Sequence, residues 1–329
     1  MRSPRILWSA ALFVLCFPLI THACDVCGAF IGVTPYDNQG GFSLYHRFNL
    51  YSRIDVDGQP FIPQGSYRLS SPHSALHVHD TAMQMQKGDF ESYKTIELRG
   101  KWFVHNRVEL NALLPFRMTR SKMNGELEKI TGMGDPSFWI GFHVIRKTET
   151  TVRHRLIAGG GMKFPLGSIA ETGESGMRHH LYLQPGTGGF DKTAYLQYSI
   201  GWKKLGAMLN AAGKFSGENR YAERMKPAFT SNANFFYMIR KNNIVMLPQL
   251  QCYAEHTSGY SVNGVTAENS AMGLIAAGAG CDLYIRNLGV HVSAQFPVAQ
   301  LETKNMPGAS FRGMIGLSWN INQQKFILN

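Results

Sequence analysis

Cys24 and Cys27 stand three positions apart, just after an apolar stretch. In an oxidising compartment such a pair forms a local disulfide, binds a metal or carries a covalent attachment. Haem of the c type needs histidine at position 28, where Gly28 stands, so that attachment is disfavoured. Structural zinc takes four ligands, and the chain has no second CxxC. Farther along, His73, His77, His79, Asp80, Met83 and Met85 crowd one segment. Imidazoles suit copper, zinc or nickel, and thioethers select copper(I). His77-x-His79 and Met83-x-Met85 would present paired ligands on one side of an extended chain. With 15 Met and 12 His in the chain, a polar loop is the plainer account. The expectation is therefore no cofactor, with copper or zinc on the CxxC and this loop as the alternative.

A second pattern suits nucleophilic chemistry. His256 and Ser258 share one face near the end of a predicted strand, and the pair is similar to that of outer-membrane phospholipase A. A serine nucleophile needs a base and an orienting partner, and Asn263 and Asn269 are the nearby candidates. Polar residues leading into a loop explain the pair more simply, so no enzyme is expected. Cys252 and Cys281 keep the parity of Leu250 and Leu283 on consecutive strands. A hairpin centred near residue 264 sets Cys252 opposite about residue 276, out of register for a bridge to Cys281.

The elements that would carry these residues are strands. Only 17% of the chain is charged, against about 25% in an average soluble domain. Phe42, Leu44, Phe48 and Leu50 alternate with Ser43, Tyr45, Arg47, Asn49 and Tyr51, with His46 as the exception on the apolar side. Val108, Leu110, Ala112, Leu114 and Phe116 likewise oppose Glu109, Asn111 and Arg117. The same period of two recurs in Ile96, Leu98 and Trp102, in Ala194 to Trp202, and in Leu288 to Phe296. Side chains two apart share a face, so each segment is apolar on one side and polar on the other.

Twelve such segments are predicted, near 41–53, 91–103, 107–119, 134–147, 151–164, 191–203, 206–217, 227–240, 243–256, 271–286, 288–299 and 308–321. Their connections alternate between short turns and long loops, giving five short and six long. Outer-membrane barrels have this arrangement, with an even strand number, short periplasmic turns and longer external loops. A soluble sandwich would use strands of about five or six residues, whereas these run to about thirteen. After Ala23 no run of about 18 apolar residues offers a membrane helix, so a membrane protein of this kind must close as a barrel. The fold expected is an all-β, transmembrane, antiparallel up-and-down barrel.

The N-terminus sets the compartment. Arg2 and Arg5 precede the apolar stretch Ile6 to Ile20, and Thr21-His22-Ala23 leads to Cys24. This reads as a secretory signal over 1–23, with lipidation of Cys24 as an alternative that Thr21 and His22 fit poorly. Residues 24–40 then form a periplasmic or plug segment, 41–321 the barrel and 322–329 a tail. Loss of the signal lowers the formal charge of +11 by two. Export makes nucleic acid an improbable partner for the remaining positive charge, and outer-membrane lipid and a small solute are the partners expected; the oligomeric state is left open.

On the polar parity lie Arg47, Arg53, Arg99, Arg107, Arg117, Arg153, Arg155, Lys163, Lys203, Lys214 and Arg312, with Glu97, Glu109 and Glu255. If the interior is open, this basic excess favours anionic or polar solutes. If it is filled, the same residues form an internal ion-pair network. Twelve strands enclose a narrow space that side chains and residues 24–40 could largely fill.

Three landmarks recur in order: Gly132-Met133-Gly134-Asp135-Pro136, then Lys163-Phe164-Pro165-Leu166-Gly167, then Pro185-Gly186-Thr187-Gly188-Gly189-Phe190-Asp191. They resemble the GxGD, KxPxG and PGTGxD landmarks of the transporter-like outer-membrane barrels of the meta-pathway of phenol degradation, over about residues 90–320. The start Cys24-Asp25-Val26-Cys27-Gly28 resembles that of exported transporters beginning CDxCG. The resemblance implies passive passage of small molecules across the outer membrane. No nucleotide-binding motif is present to drive it. Read from the residues themselves, the landmarks are turns, with Pro136 at a first strand position and Asp191 placed to cap a bend.

Overall fold

The computed structural model describes residues 40–52, 67–68, 83–84, 89–123, 125–147, 151–173, 176–267, 270–301 and 308–321. Twelve long strands form one sheet: β1 Gly41–Ser52, β2 Phe90–His105, β3 Val108–Met123, β4 Ser137–Lys147, β5 Val152–Lys163 and β6 Asp191–Trp202, followed by β7 Leu205–Ser216, β8 Ala228–Tyr237, β9 Ile244–Thr257, β10 Met272–Ile285, β11 Leu288–Leu301 and β12 Ala309–Asn320. Each pairs antiparallel with its neighbours in sequence, and β12 returns to β1 from Gly41↔Asn320 to Tyr51↔Ala309. The sheet is therefore a closed barrel with no free edge. The strands coincide with the twelve segments that period-two alternation marks out, to within four residues at either end.

Closure and alternation together sort the side chains. Glu97 is fully buried while its neighbour Leu98 is 50% exposed. Phe42, Leu44, Phe138, Ile140, Leu196, Leu250, Val292 and Leu317 likewise stand exposed on the outer surface. Soluble folds do the reverse, because exposed apolar area costs about 25 cal/mol per Å² in water. An outer belt of this kind is matched to hydrocarbon. Two aromatic sets flank it. Trp102, Trp202 and Trp319 lie near the short turns, with Phe42 edge-on to Trp102 at 5.5 Å between centroids. Near the long loops, Phe164 meets Phe190 and Phe215 meets Phe229, each pair at 6.1 Å.

At the short-turn end, Lys203, Asn242 and Arg286 take φ of 51°, 52° and 52°, a left-handed conformation that lets adjacent strands reverse tightly; Asn242 follows a short strand, Ile239–Lys241, that pairs with the start of β9. The long-loop end is more ordered than the sequence suggests. β3 folds straight back into a further strand, Glu126–Met133, so part of the expected loop 120–133 extends the wall. Glu223–Met225, Tyr260–Val262 and Val265–Thr266 form a small separate sheet over the same end. Its apolar side packs Met225 and Tyr260 on Leu181. These strands of two or three residues are too short to display a period.

Leu98→Arg tests the outward belt. In lipid it should lower stability by about 2–4 kcal/mol, as measured by denaturant unfolding of protein refolded into bilayers. A change under about 0.5 kcal/mol, usual for an exposed site in water, would contradict the orientation.

Candidate functional site

The enclosed face is where charge is concentrated, and over much of the wall opposite signs are brought together. Glu97 accepts from Arg47 on β1 and from Arg99, whose Nε lies 2.9 Å away. On the next strand, Glu109 meets Lys101 Nζ at 2.8 Å and His143 Nε2 at 3.1 Å. Glu255 lies 3.4 Å from Arg312, whose guanidinium also stacks 3.8 Å from the Tyr253 ring centroid. Burying one of these charges alone would cost several kcal/mol, so the pairing is what permits so many of them inside.

The three landmark motifs converge on one cluster at the long-loop rim. Lys163, the last residue of β5, puts its ammonium 2.8 Å from Asp135 Oδ2 and 2.9 Å from Asp191 Oδ2, and also donates to Thr187. Asp135 in turn accepts from the backbone N–H of Gly167 at 2.9 Å and of Thr187 at 2.7 Å. Lys214 approaches Asp191 from β7 at 3.5 Å. Room for this exists because positions 167 and 186 are glycine: a Cβ on Gly167 would lie 2.7 Å from the Gly134 carbonyl carbon, and one on Gly186 2.8 Å from Asp135 Oδ1. Burial raises the Asp135 carboxyl pKa, but the Lys163 charge and the hydrogen bonds from Lys163, Thr187 and Gly167 outweigh it. The net result is a carboxyl held below its ordinary value.

The wall from β7 to β11 differs. Asn210, Asn232, Asn234, Gln249, Gln251 and Gln295 supply neutral amides there, with Gln295 donating to Gln251 at 2.8 Å. Within it Asp282 Oδ1 lies 2.9 Å from His291 Nδ1, and His291 Nε2 lies 2.9 Å from Ser318 Oγ. That is the order of a serine nucleophile, its base and an orienting acid. The pocket beside Ser318, lined also by Tyr45, Arg99, Lys101 and Asn320, measures about 30 Å³. Such a space holds one or two ordered waters, and the relay joins β10, β11 and β12 across it. Parity alone places His291 inward, and nothing in the sequence distances ties it to Asp282 and Ser318. Apolar side chains share the interior: Leu113, Trp139, Ile157 and Tyr195 form one buried cluster, and Met208, Phe236, Val245, Leu247 and Tyr284 another.

Of the residues assigned to the lumen by parity, Arg47, Arg99, Lys163, Lys214, Arg312, Glu97, Glu109 and Glu255 are in the inward pairs described above. Arg117, Arg153 and Arg155 lie on inward parity, opposite Thr95, Gly201 and Ser199. Two depart from the expectation. Arg107 and Lys203 are exposed in the turns that end their strands, where alternation no longer fixes a face; Lys203 sits over Trp202, 5.0 Å from a ring centroid. Arg53 lies outside the described residues, as do Cys24, Cys27, His73, His77, His79 and Met85. Met83 is described only as backbone in a two-residue strand, Met83–Gln84, paired with Tyr67–Arg68. Among the described residues no group of three or more His, Cys, Asp or Glu is arranged to hold a metal.

His256 Nε2 lies 3.2 Å from Ser258 Oγ, so that pair is in reach, on the outer surface beside Phe229. Asn263 is in the turn of the small loop sheet, and Asn269 lies outside the described residues. Cys252 and Cys281 are free thiols opposite Ala277 and Pro248, four register positions apart.

No protein-family model matches the chain. No curated protein matches it either. Solved structures do. An outer membrane channel from Pseudomonas putida F1 superposes with a TM-score of 0.62 at 13% identity, over 88% of this chain and 100% of that one. The β domain of the Bordetella autotransporter BrkA gives 0.47 at 10% identity, over 87% and 100%. LpxR from Salmonella typhimurium gives 0.40 at 10%, over 84% and 99%.

Replacing Lys163 with Met leaves Asp135 and Asp191 buried without their shared cation, and should cost about 3–5 kcal/mol in denaturant unfolding. Because the folded pKa of Asp135 is depressed, its contribution is complete above the unfolded value of about 3.9 and is lost as pH falls through the folded value. An acid titration of stability should therefore flatten in Asp135→Asn below about pH 4, and an unchanged slope would contradict the assignment.

The fold likeness to the P. putida channel, spanning that chain's full length, places this protein among closed outer-membrane-type β-barrels.

Proposed function

We propose that the chain is an outer-membrane channel that lets small solutes pass passively, in contact with lipid on its outer side. The observation that carries this is the inversion of the barrel: exposed apolar side chains surround a closed wall whose enclosed face bears Arg47, Arg99, Glu97, Glu109 and Lys163. Water favours the opposite arrangement, and a bilayer favours this one. The finer reading is membership of the transporter-like barrels of phenol meta-pathway degradation. It is supported by the meeting of all three landmark motifs in one hydrogen-bonded cluster, since ordered motifs that serve one contact are less prone to arise by chance than scattered turns.

The charges lining the enclosed face are largely matched, so the polar route is narrow and its ion flow small. Basic residues outnumber acidic ones on the inward parity, with Arg117, Arg153 and Arg155 among them, and this excess biases the route towards anions. Purified protein in planar bilayers should show small unitary conductance, and the reversal potential in a salt gradient should have the anion-selective sign. Arg153→Ala with Arg155→Ala should move that potential towards zero. Absence of any conductance above the bilayer background would end the reading of an ion-permeable channel.

A further inference from the structure

The outer face of the wall turns basic in one sector. On β3 every outward side chain from Val108 to Met118 is apolar, and the next two are Arg120 and Lys122. At about 3.4 Å per residue and a tilt of about 40°, Val108 to Met118 rises about 26 Å, the height of the apolar band of a membrane barrel. Arg120 and Lys122 therefore stand just beyond that band, at the long-loop end. The Glu126–Met133 extension sets Lys129 directly opposite Arg120 and Leu127 opposite Lys122. On β2, Lys94 is opposite Met118, one diagonal step from Arg120, and its ammonium lies 5.8 Å from the Phe48 ring centroid.

These cations share one face, and the carboxylates of the same strands take the other. Glu91 and Glu97 on β2, Glu109 on β3, and Glu126 and Glu128 on the extension all fall on the opposite parity. Glu91 accepts from Tyr93 and Ser121, and Glu128 lies 3.4 Å from His179 Nδ1. Among the described residues, none of Lys94, Arg120, Lys122 and Lys129 takes part in an ion pair. Arg120 and Lys129 are exposed, and Lys94 and Lys122 half-buried. Like charges directly opposite each other destabilise a strand pair, so Arg120 against Lys129 is unfavourable until an anion joins them.

The anion that fits carries phosphate above and hydrocarbon below. Arg120 offers a phosphate a planar fork of N–H donors, and the lysines add point charges around it. Phe116, Leu127 and Met133 are exposed on the same face and give acyl chains an apolar footing. Lys122 stands about 10 Å above Met118 by the same rise and tilt, beyond the roughly 5–8 Å that a phospholipid headgroup layer adds to each side of the hydrocarbon. The phosphorylated sugars of a glycolipid extend that far. We propose that Lys94, Arg120, Lys122 and Lys129 form a site for the phosphorylated sugar headgroup of lipopolysaccharide in the outer leaflet. The proposal rests on the outer-membrane reading above and names a lipid partner for one sector of the wall.

The test uses the full chain, purified in a non-ionic detergent and stripped of lipid, with heat-dependent electrophoretic mobility to confirm that each form is folded. Binding is measured for lipopolysaccharide, for the same glycolipid with its lipid A phosphates removed, and for phosphatidylglycerol. Wild type should bind the phosphorylated glycolipid most tightly. Arg120→Gln with Lys129→Gln should weaken that binding about thirtyfold, since each cation near an anionic surface contributes roughly a factor of five. Arg107→Gln with Lys203→Gln removes the same charge at the opposite end and should leave binding unchanged. Equal affinity in wild type and the Arg120 and Lys129 double variant would overturn the site. So would equal losses in both double variants, or binding of either other probe as tight as that of the phosphorylated glycolipid. Recovery of the wild type in the soluble fraction of producing cells would instead overturn the outer-membrane reading, and the site with it.

Discussion

A sheet edge leaves backbone N–H and C=O groups without partners, and this wall removes its edges by closing on itself. That single requirement explains why the twelve strands return through β12 to β1, and why adjacent strands at one end reverse through tight turns. It also fixes what the side chains must do. Once the ladder is closed, alternation sends one set to the outer surface and the other to a confined interior, and a residue has no third environment within a strand.

Confinement makes electrostatic matching the second constraint. Glu97, Glu109, Asp191 and Glu255 are nearly inaccessible to water, and each is met by at least one cation from another strand. The pairs link strands through the interior as the hydrogen-bond ladders link them along the wall. The neutral side from β7 to β11 uses amides and the Asp282–His291–Ser318 relay for the same purpose, with fewer charges to compensate.

The strands were legible because a period of two survives in a single sequence wherever one face is uniformly apolar. Phe42 to Leu50 shows the barrel wall as plainly in the sequence as in three dimensions. Alternation says which face a residue takes only while the strand lasts. In two-residue connections the count runs on without a visible break, which is how Arg107 and Lys203 came to be grouped with the interior. Contacts between strands were out of reach for a different reason. Asp135, Lys163 and Asp191 could be recognised as parts of ordered motifs, but their shared ion pairs depend on how β4, β5 and β6 are staggered. Alternation does not specify stagger.

The rim cluster has a consequence for how neighbouring strands are aligned. Sliding β5 by one residue against β4 or β6 would turn Lys163 to the outer surface and leave two carboxylates facing each other across the gap. Alignment errors in adjacent strands are otherwise poorly penalised where glycines such as Gly159, Gly160 and Gly161 offer few side chains to distinguish one offset from the next. A lysine at the end of that featureless run thus acts as the index mark from which the stagger of three strands is set.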